Sequence, residues 1–134
     1  MIFKIPKIIK KIVVTGGAGF IGGALIRKLL RDTDLQIFNI DKFGYASDFT
    51  GINNEIRILG SNYSKRHNIL KIDISNKEIL SKTFLDIDPD FIFHLAAESH
   101  VDKSIEGPEI FLRSNVLGTF NLLEVSREHL KSKS

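Results

Sequence analysis

Thr15-Gly16-Gly17-Ala18-Gly19-Phe20-Ile21-Gly22 (TGGAGFIG) is the stretch whose reading decides the fold. It contains both Gly17-x-Gly19-x-x-Gly22 and the wider Gly16-x-x-Gly19-x-x-Gly22. Glycines alone also mark ordinary turns, so their flanks matter. Before them, Ile12-Val13-Val14 is a continuous β-branched run, the pattern of a strand buried on both faces. After Gly22, Ala24, Leu25, Leu29 and Leu30 recur on a helical period, with Arg27, Lys28 and Arg31 on the other side. A strand, a glycine turn and a helix in that order bring backbone N–H groups to the positive helix end, where a pyrophosphate can approach them. The stretch therefore points to dinucleotide binding, with a plain tight turn as the alternative. A P-loop is excluded because no Gly-Lys-Ser/Thr follows.

Further along the chain, residues 35–41 (LQIFNID), 68–74 (NILKIDI) and 90–96 (DFIFHLA) read as three more strands. Residues 76–85 carry Ile79, Leu80, Phe84 and Leu85 at helical spacing after a Ser-Asn start, closed by Asp88-Pro89. Residues 42–67 are rich in Gly, Asn and Ser without a clean period, so a loop with at most a short helix is expected. Pro108 opens a last helix running to about residue 130, with Phe111, Val116, Phe120 and Leu123 facing a partner and Gly118 marking close packing. Strands alternating with helices predict an α/β, Rossmann-type parallel sheet in the order 3-2-1-4 with flanking helices. That is one mononucleotide-binding half and the start of a second, an incomplete Rossmann fold.

The 134 residues suffice for one compact domain, and 43% apolar with 26% charged residues is ordinary globular composition, which excludes disordered, collagen-like and coiled-coil classes. Nineteen Lys and Arg against sixteen Asp and Glu give +3, dispersed along the chain, so no nucleic-acid partner is expected. There is no cysteine, which excludes disulfides and thiolate metal sites, and no other spacing suggests a metal. The opening MIFKIPKIIKKIVV interrupts each apolar run with lysine and has no small-residue cleavage site. It reads as a solvated lead-in to the first strand of a cytoplasmic protein, with no membrane span.

Asp41 stands nineteen residues beyond Gly22 at the end of the second strand, where a carboxylate can accept hydrogen bonds from both adenosine ribose hydroxyls. That favours NAD over NADP, softened by the neighbouring Lys42; a strand-end turn aspartate is the alternative. Asp73 with Ile74 either borders the adenine or caps the following helix. The run HLAAESHVDKSI (residues 94–105) places Glu98, Ser99, His100, Asp102 and Ser104 at the carboxyl end of the fourth strand, beside the topological switch point where open α/β sheets bind ligands. By chemistry alone His100 is equally a ligand contact or a turn histidine.

Together, TGGAGFIG, NIDKFGYA, KIDI, HLAAESHVDKSI and SNVLGTFNLLE resemble the extended short-chain dehydrogenase/reductase family, in its dTDP-glucose 4,6-dehydratase branch, over nearly the whole chain after about Lys11. The resemblance implies NAD as cofactor, with Gly16, Gly19, Phe20, Ile21 and Gly22 at the pyrophosphate. It assigns Asp41 and Lys42 to the adenosine ribose, and Asp73 with Ile74 to the adenine. Leu95, Ala96, Ala97 and Glu98 would pass beside the cofactor, Ser99 and His100 would approach the sugar of a nucleotide-sugar substrate, and Asn115 would support the nearby backbone. The chain departs from the family pattern at Gly44, where a threonine is usual, and at Ser47-Asp48, where Gly-Asn is usual.

The family's Tyr-x-x-x-Lys and Asp-Glu catalytic groups are not found within residues 1–134; neither Tyr45 nor Tyr63 has a lysine four positions on. The expectation is therefore an N-terminal NAD-binding part of a nucleotide-sugar lyase, without its substrate domain and inactive alone. By the same resemblance the last helix pairs in a homodimer, or the chain complements a C-terminal half. Two other readings remain open: a non-catalytic nucleotide-binding interaction module, and a fragment of another nucleotide-sugar epimerase or dehydratase.

Overall fold

The computed structural model describes residues 8–133, so the first seven residues of the expected lead-in lie outside the described residues. Strand β1 (Lys11–Thr15) pairs in parallel with β2 (Gln36–Asp41) on one side and β4 (Phe91–His94) on the other, and β3 (His67–Lys71) extends the sheet beyond β2. The order β3-β2-β1-β4 is the predicted one.

The strand at the centre explains its own composition. Val13 belongs to an apolar cluster on one face, while Ile12 and Val14 belong to a second cluster on the other. A run buried on both faces has no polar position to alternate with. The first cluster holds Ile40, Leu80, Phe84, Leu122 and Val125; the second holds Ile26, Leu30, Ile37 and Ile52.

Helix α1 (Phe20–Asp32) begins two residues before Gly22, and its buried stripe is Gly22, Gly23, Ile26 and Leu30. Leu25 and Leu29 pack at the margin, whereas Ala24 is exposed, contrary to the expected stripe. The inward face carries Gly22, whose missing side chain lets the helix start close against the glycine turn.

Residues 42–67 correct the expectation of a loop with at most a short helix. They contain α2 (Thr50–Leu59) followed by a 3₁₀ turn at Ser61–Arg66. Ile52, Ile56 and Leu59 form its inward stripe, at i, i+4 and i+7. Gly51, Asn53 and Asn54 in its first turns hide this pattern from the sequence, being residues more usual in turns. The Arg31 guanidinium donates to both Glu55 carboxylate oxygens, tying α1 to α2.

Helix α3 (Lys77–Ile87) starts at Asn76, whose side chain accepts from Ile79 N at 3.2 Å. Leu80, Phe84 and Ile87 point inward, and Ile79 and Leu85, expected on that stripe, face solvent. The expected last helix is three consecutive segments: α5 (Pro108–Phe111) with Pro108 in its first turn, a π-helical stretch at Leu112–Gly118, and α6 (Thr119–Ser132). A short helix α4 (Val101–Glu106) precedes them. Gly118 packs closely, since a Cβ would lie 2.7 Å from Ile74 Cγ1. Leu122 and Val125 face the core, leaving Val116, Phe120 and Leu123 exposed.

Candidate functional site

At the carboxyl edge of the sheet lies an open cleft of about 140 Å³ between the ends of β1, β2, β3 and β4. Gly16, Gly19, Asp41, Lys42, Asp73, Ile74 and residues 95–100 line it. Phe20, Ile21 and Gly22 are not in its wall: Phe20 and Ile21 are exposed at the start of α1, and Gly22 is buried beneath the turn. Ile40, Ile72 and the loop from Gly44 through Ser47 complete the lining; they lie in or beside the NIDKFGYA and KIDI motifs but were given no contact with the cofactor.

In the glycine turn, backbone packs against backbone at Gly16 and Gly22. Gly16 has φ +73°, and a Cβ there would stand 2.7 Å from the Ala96 backbone. At Gly22 a Cβ would come within 2.2 Å of the Gly16 carbonyl oxygen. Gly19 is different, because the nearest atom to its Cβ position is Gly16 O at 3.3 Å, and the residue borders the cleft. Folding alone gives Gly19 a weaker reason to be glycine. The first-turn N–H groups of a helix lack intrahelical acceptors, and no side chain caps α1.

Asp41 ties the next wall together. Its Oδ2 accepts from Ala18 N at 3.0 Å, and its Oδ1 accepts from Phe43 N at 2.8 Å and from the Ser47 hydroxyl at 3.3 Å. The turn role weighed for Asp41 is thus present in the structure, on a residue that also faces the cleft. The adjacent Lys42 ammonium pairs with the Glu98 carboxylate on the opposite wall. Asp73 lies two residues past β3, where its Oδ1 accepts from Ser75 N at 2.9 Å; the helix-capping role expected as its alternative belongs to Asn76.

The β4 side is positioned by buried polar side chains. Thr15 Oγ1 accepts from Leu95 N at 3.1 Å and Ala96 N at 3.2 Å. With both lone pairs engaged, its hydroxyl donates to His94 Nδ1 at 2.7 Å. His94 is then the neutral Nε2–H tautomer, donating to Thr119 Oγ1 at 2.9 Å. Burial, by desolvation, holds the His94 imidazole below the ordinary histidine range, in keeping with a neutral ring. Asn115 supports Glu98 as expected: Glu98 N donates to its Oδ1 at 2.8 Å, and its Nδ2 donates to Glu98 O at 2.9 Å. Sequence reasoning missed the roles of Thr15 and His94, which the fold makes register partners at the two strand ends.

A parallel sheet ordered 3-2-1-4, a glycine turn entering a helix and a cleft at the switch point define a Rossmann-type nucleotide-binding domain. Residues 13–134 match the GDP-mannose 4,6 dehydratase family, and the chain belongs to that family. It is 41% identical over 119 residues to the dTDP-glucose 4,6-dehydratase of Salmonella typhimurium, covering 89% of this chain and 31% of that protein. Among solved structures it is similar to a dTDP-glucose 4,6-dehydratase from Bacillus anthracis in complex with NAD (TM-score 0.70, 28% identity), covering 90% of this chain and 34% of that one. It is also similar to the UDP-Glc/GlcNAc 4-epimerase of Campylobacter jejuni (TM-score 0.75, 26% identity), again covering 90% of this chain and 34% of that one. The chain thus spans about a third of the length of these relatives. Among the described residues no helix is long and apolar enough to cross a membrane.

Proposed function

We propose that residues 1–134 form the N-terminal, NAD-binding part of a nucleotide-sugar dehydratase whose substrate is dTDP-glucose, and that they perform no turnover alone. The observation that carries this reading is the meeting of Gly16, Gly19, Asp41, Asp73, Ile74 and residues 95–100 around one cleft. The residues fit the cofactor. Gly19 offers a backbone approach that packing only partly requires, and the uncapped α1 N-terminus suits a pyrophosphate. Asp41 has about four lone-pair sites, three of which accept hydrogen bonds within the chain, leaving capacity for a ribose hydroxyl. Phe20 and Ile21 would contribute their N–H groups and Gly22 its close packing, while Lys42 and residues 95–98 flank the cofactor.

Bound NAD would supply a hydride acceptor. This chain's residues would hold it, with Ser99 and His100 at the rim on the sugar side. The cleft is smaller than the roughly 300 Å³ at which pockets for whole ligands begin, which suits a site shared with a further domain. No Tyr-x-x-x-Lys lies within the chain to move the sugar hydroxyl proton. The exposed Val116, Phe120 and Leu123 suit pairing in a homodimer or with a complementing C-terminal half. Likeness to the Campylobacter epimerase favours a second reading, in which the same part serves a nucleotide-sugar 4-epimerase.

The test is a titration of NAD and NADP into wild type and Asp41→Ala. Loss of a charge-assisted hydrogen bond predicts a drop of about 1.5 to 3 kcal/mol, roughly ten- to a hundredfold, for NAD. Equal NAD affinity in the two proteins would contradict the assignment.

A further inference from the structure

One aromatic side chain joins the two walls at the mouth of the cleft. Tyr45 rises from the loop on the β2 side and is 57% exposed, so its ring does not serve the core. Its partners come from the β4 side: the His100 ring lies 5.1 Å away, tilted 56°, and Lys103 Nζ stands 3.1 Å from the Tyr45 ring centroid. His100 is the N-cap of α4 and Lys103 lies within it. This helix has six residues and none is buried, so it is too short to be stable alone and draws little on the core for its placement.

The loop is held in the shape that presents this ring. Phe43 adopts φ 60°, a left-handed conformation that a bulky residue rarely takes. Asp41 accepting from Phe43 N and an edge contact between Phe43 and Phe49 (5.3 Å, 80°) maintain it. Backbone strain of this kind persists only where surrounding contacts over-determine it.

We propose that Tyr45 is a positioning residue that fastens α4 across the mouth of the cleft, holding Ser99 and His100 over a bound nucleotide and slowing its exit. The fastening is a property of the chain itself; the effect on nucleotide exit rests on the NAD reading above.

Backbone amide hydrogen exchange on the ligand-free chain tests the fastening. In Tyr45→Ala, residues 99–106 should exchange about two- to fivefold faster, the size of one exposed cation–π contact. Tyr45→Phe should match wild type, because the ring face is kept and only the hydroxyl is lost. Amides of β1 and α1 should be unchanged in both variants, which separates the effect from general unfolding. Wild-type exchange at 99–106 in Tyr45→Ala, or equal acceleration in Tyr45→Phe, would overturn the proposal. Stopped-flow release of NADH then reads the second part, with Tyr45→Ala releasing faster by a similar factor and Tyr45→Phe at the wild-type rate. If wild type binds no NADH, the NAD reading fails while exchange still judges the fastening. If wild type binds and Tyr45→Ala releases no faster, the role over the nucleotide is overturned.

Discussion

Two walls face each other across the cleft and are held by different means. The glycine turn at residues 16–22 is set by backbone atoms that approach so closely that a single Cβ at Gly16 or Gly22 would collide. The segment at residues 95–106 is set by side chains: Thr15 and His94 at its root, Asn115 at Glu98, and Tyr45 at its far end. Where backbone meets backbone, as at Gly16 and Gly22, a side chain cannot be added without moving the turn. A wall hung on hydrogen bonds and one ring can shift while the fold survives.

The sharpest way to break this contrast is to place the same methyl group at Gly16 and at Gly19. Gly16→Ala forces an L-residue into φ +73° and sets its Cβ 2.7 Å from Ala96. Strain and overpacking together should cost about 2 to 4 kcal/mol in urea unfolding. Gly19→Ala should remain within about 1 kcal/mol of wild type while weakening NAD binding. Equal losses of stability in the two variants would abolish the distinction between a glycine required by folding and one kept for a ligand.

On the other wall, Asn115→Ala removes both hydrogen bonds to the Glu98 backbone and leaves a part-buried donor and acceptor unpaired. The expected loss is about 1 to 3 kcal/mol, measured by the same denaturation. A variant as stable as wild type would mean that α5 and α6 packing, not Asn115, holds Glu98.

The smallest expected effect is a pH dependence at the root of that wall. Burial depresses the His94 pKa below its ordinary 6.5. Around that pH the unfolded chain takes up a proton that the folded chain excludes. Stability from the neutral ring is therefore complete above about pH 6.5 and falls as the pH drops toward the folded value. His67 shifts in the same direction for the same reason, so the comparison must be differential. Melting curves from pH 8 to pH 5 should fall more steeply for wild type than for His94→Gln. Parallel curves would contradict the neutral assignment.

The same contrast explains which features of the molecule are legible in its sequence. The turn at 16–22 is legible because backbone contacts dictate the residue type, and the buried β1 is legible because both its faces are covered. Strand order follows from the alternation of elements. Helix α2 is hidden because Gly51, Asn53 and Asn54 are turn-favouring residues, and only packing shows Ile52, Ile56 and Leu59 to be one stripe. In α3, Ile79 and Leu85 match a helical period as well as Ile87 does, and only packing separates them. Thr15 and His94 look like ordinary strand residues, since their hydrogen bond spans 79 positions. The contact between Tyr45 and Lys103 has no signal of its own, although each residue lies in a quoted motif, because it joins two segments far apart in the chain.

The central claim is that the cleft between these walls binds NAD. Titrating NAD into the isotope-labelled chain and following backbone amide resonances tests it most directly. Binding in the cleft predicts saturable shifts at Gly16, Gly19, Phe20, Ile21, Asp41, Asp73, Ile74 and residues 95–99, with α3 and the outer face of α6 unmoved. Absence of shifts at millimolar NAD, or shifts centred on the α3 and α6 face, would contradict it.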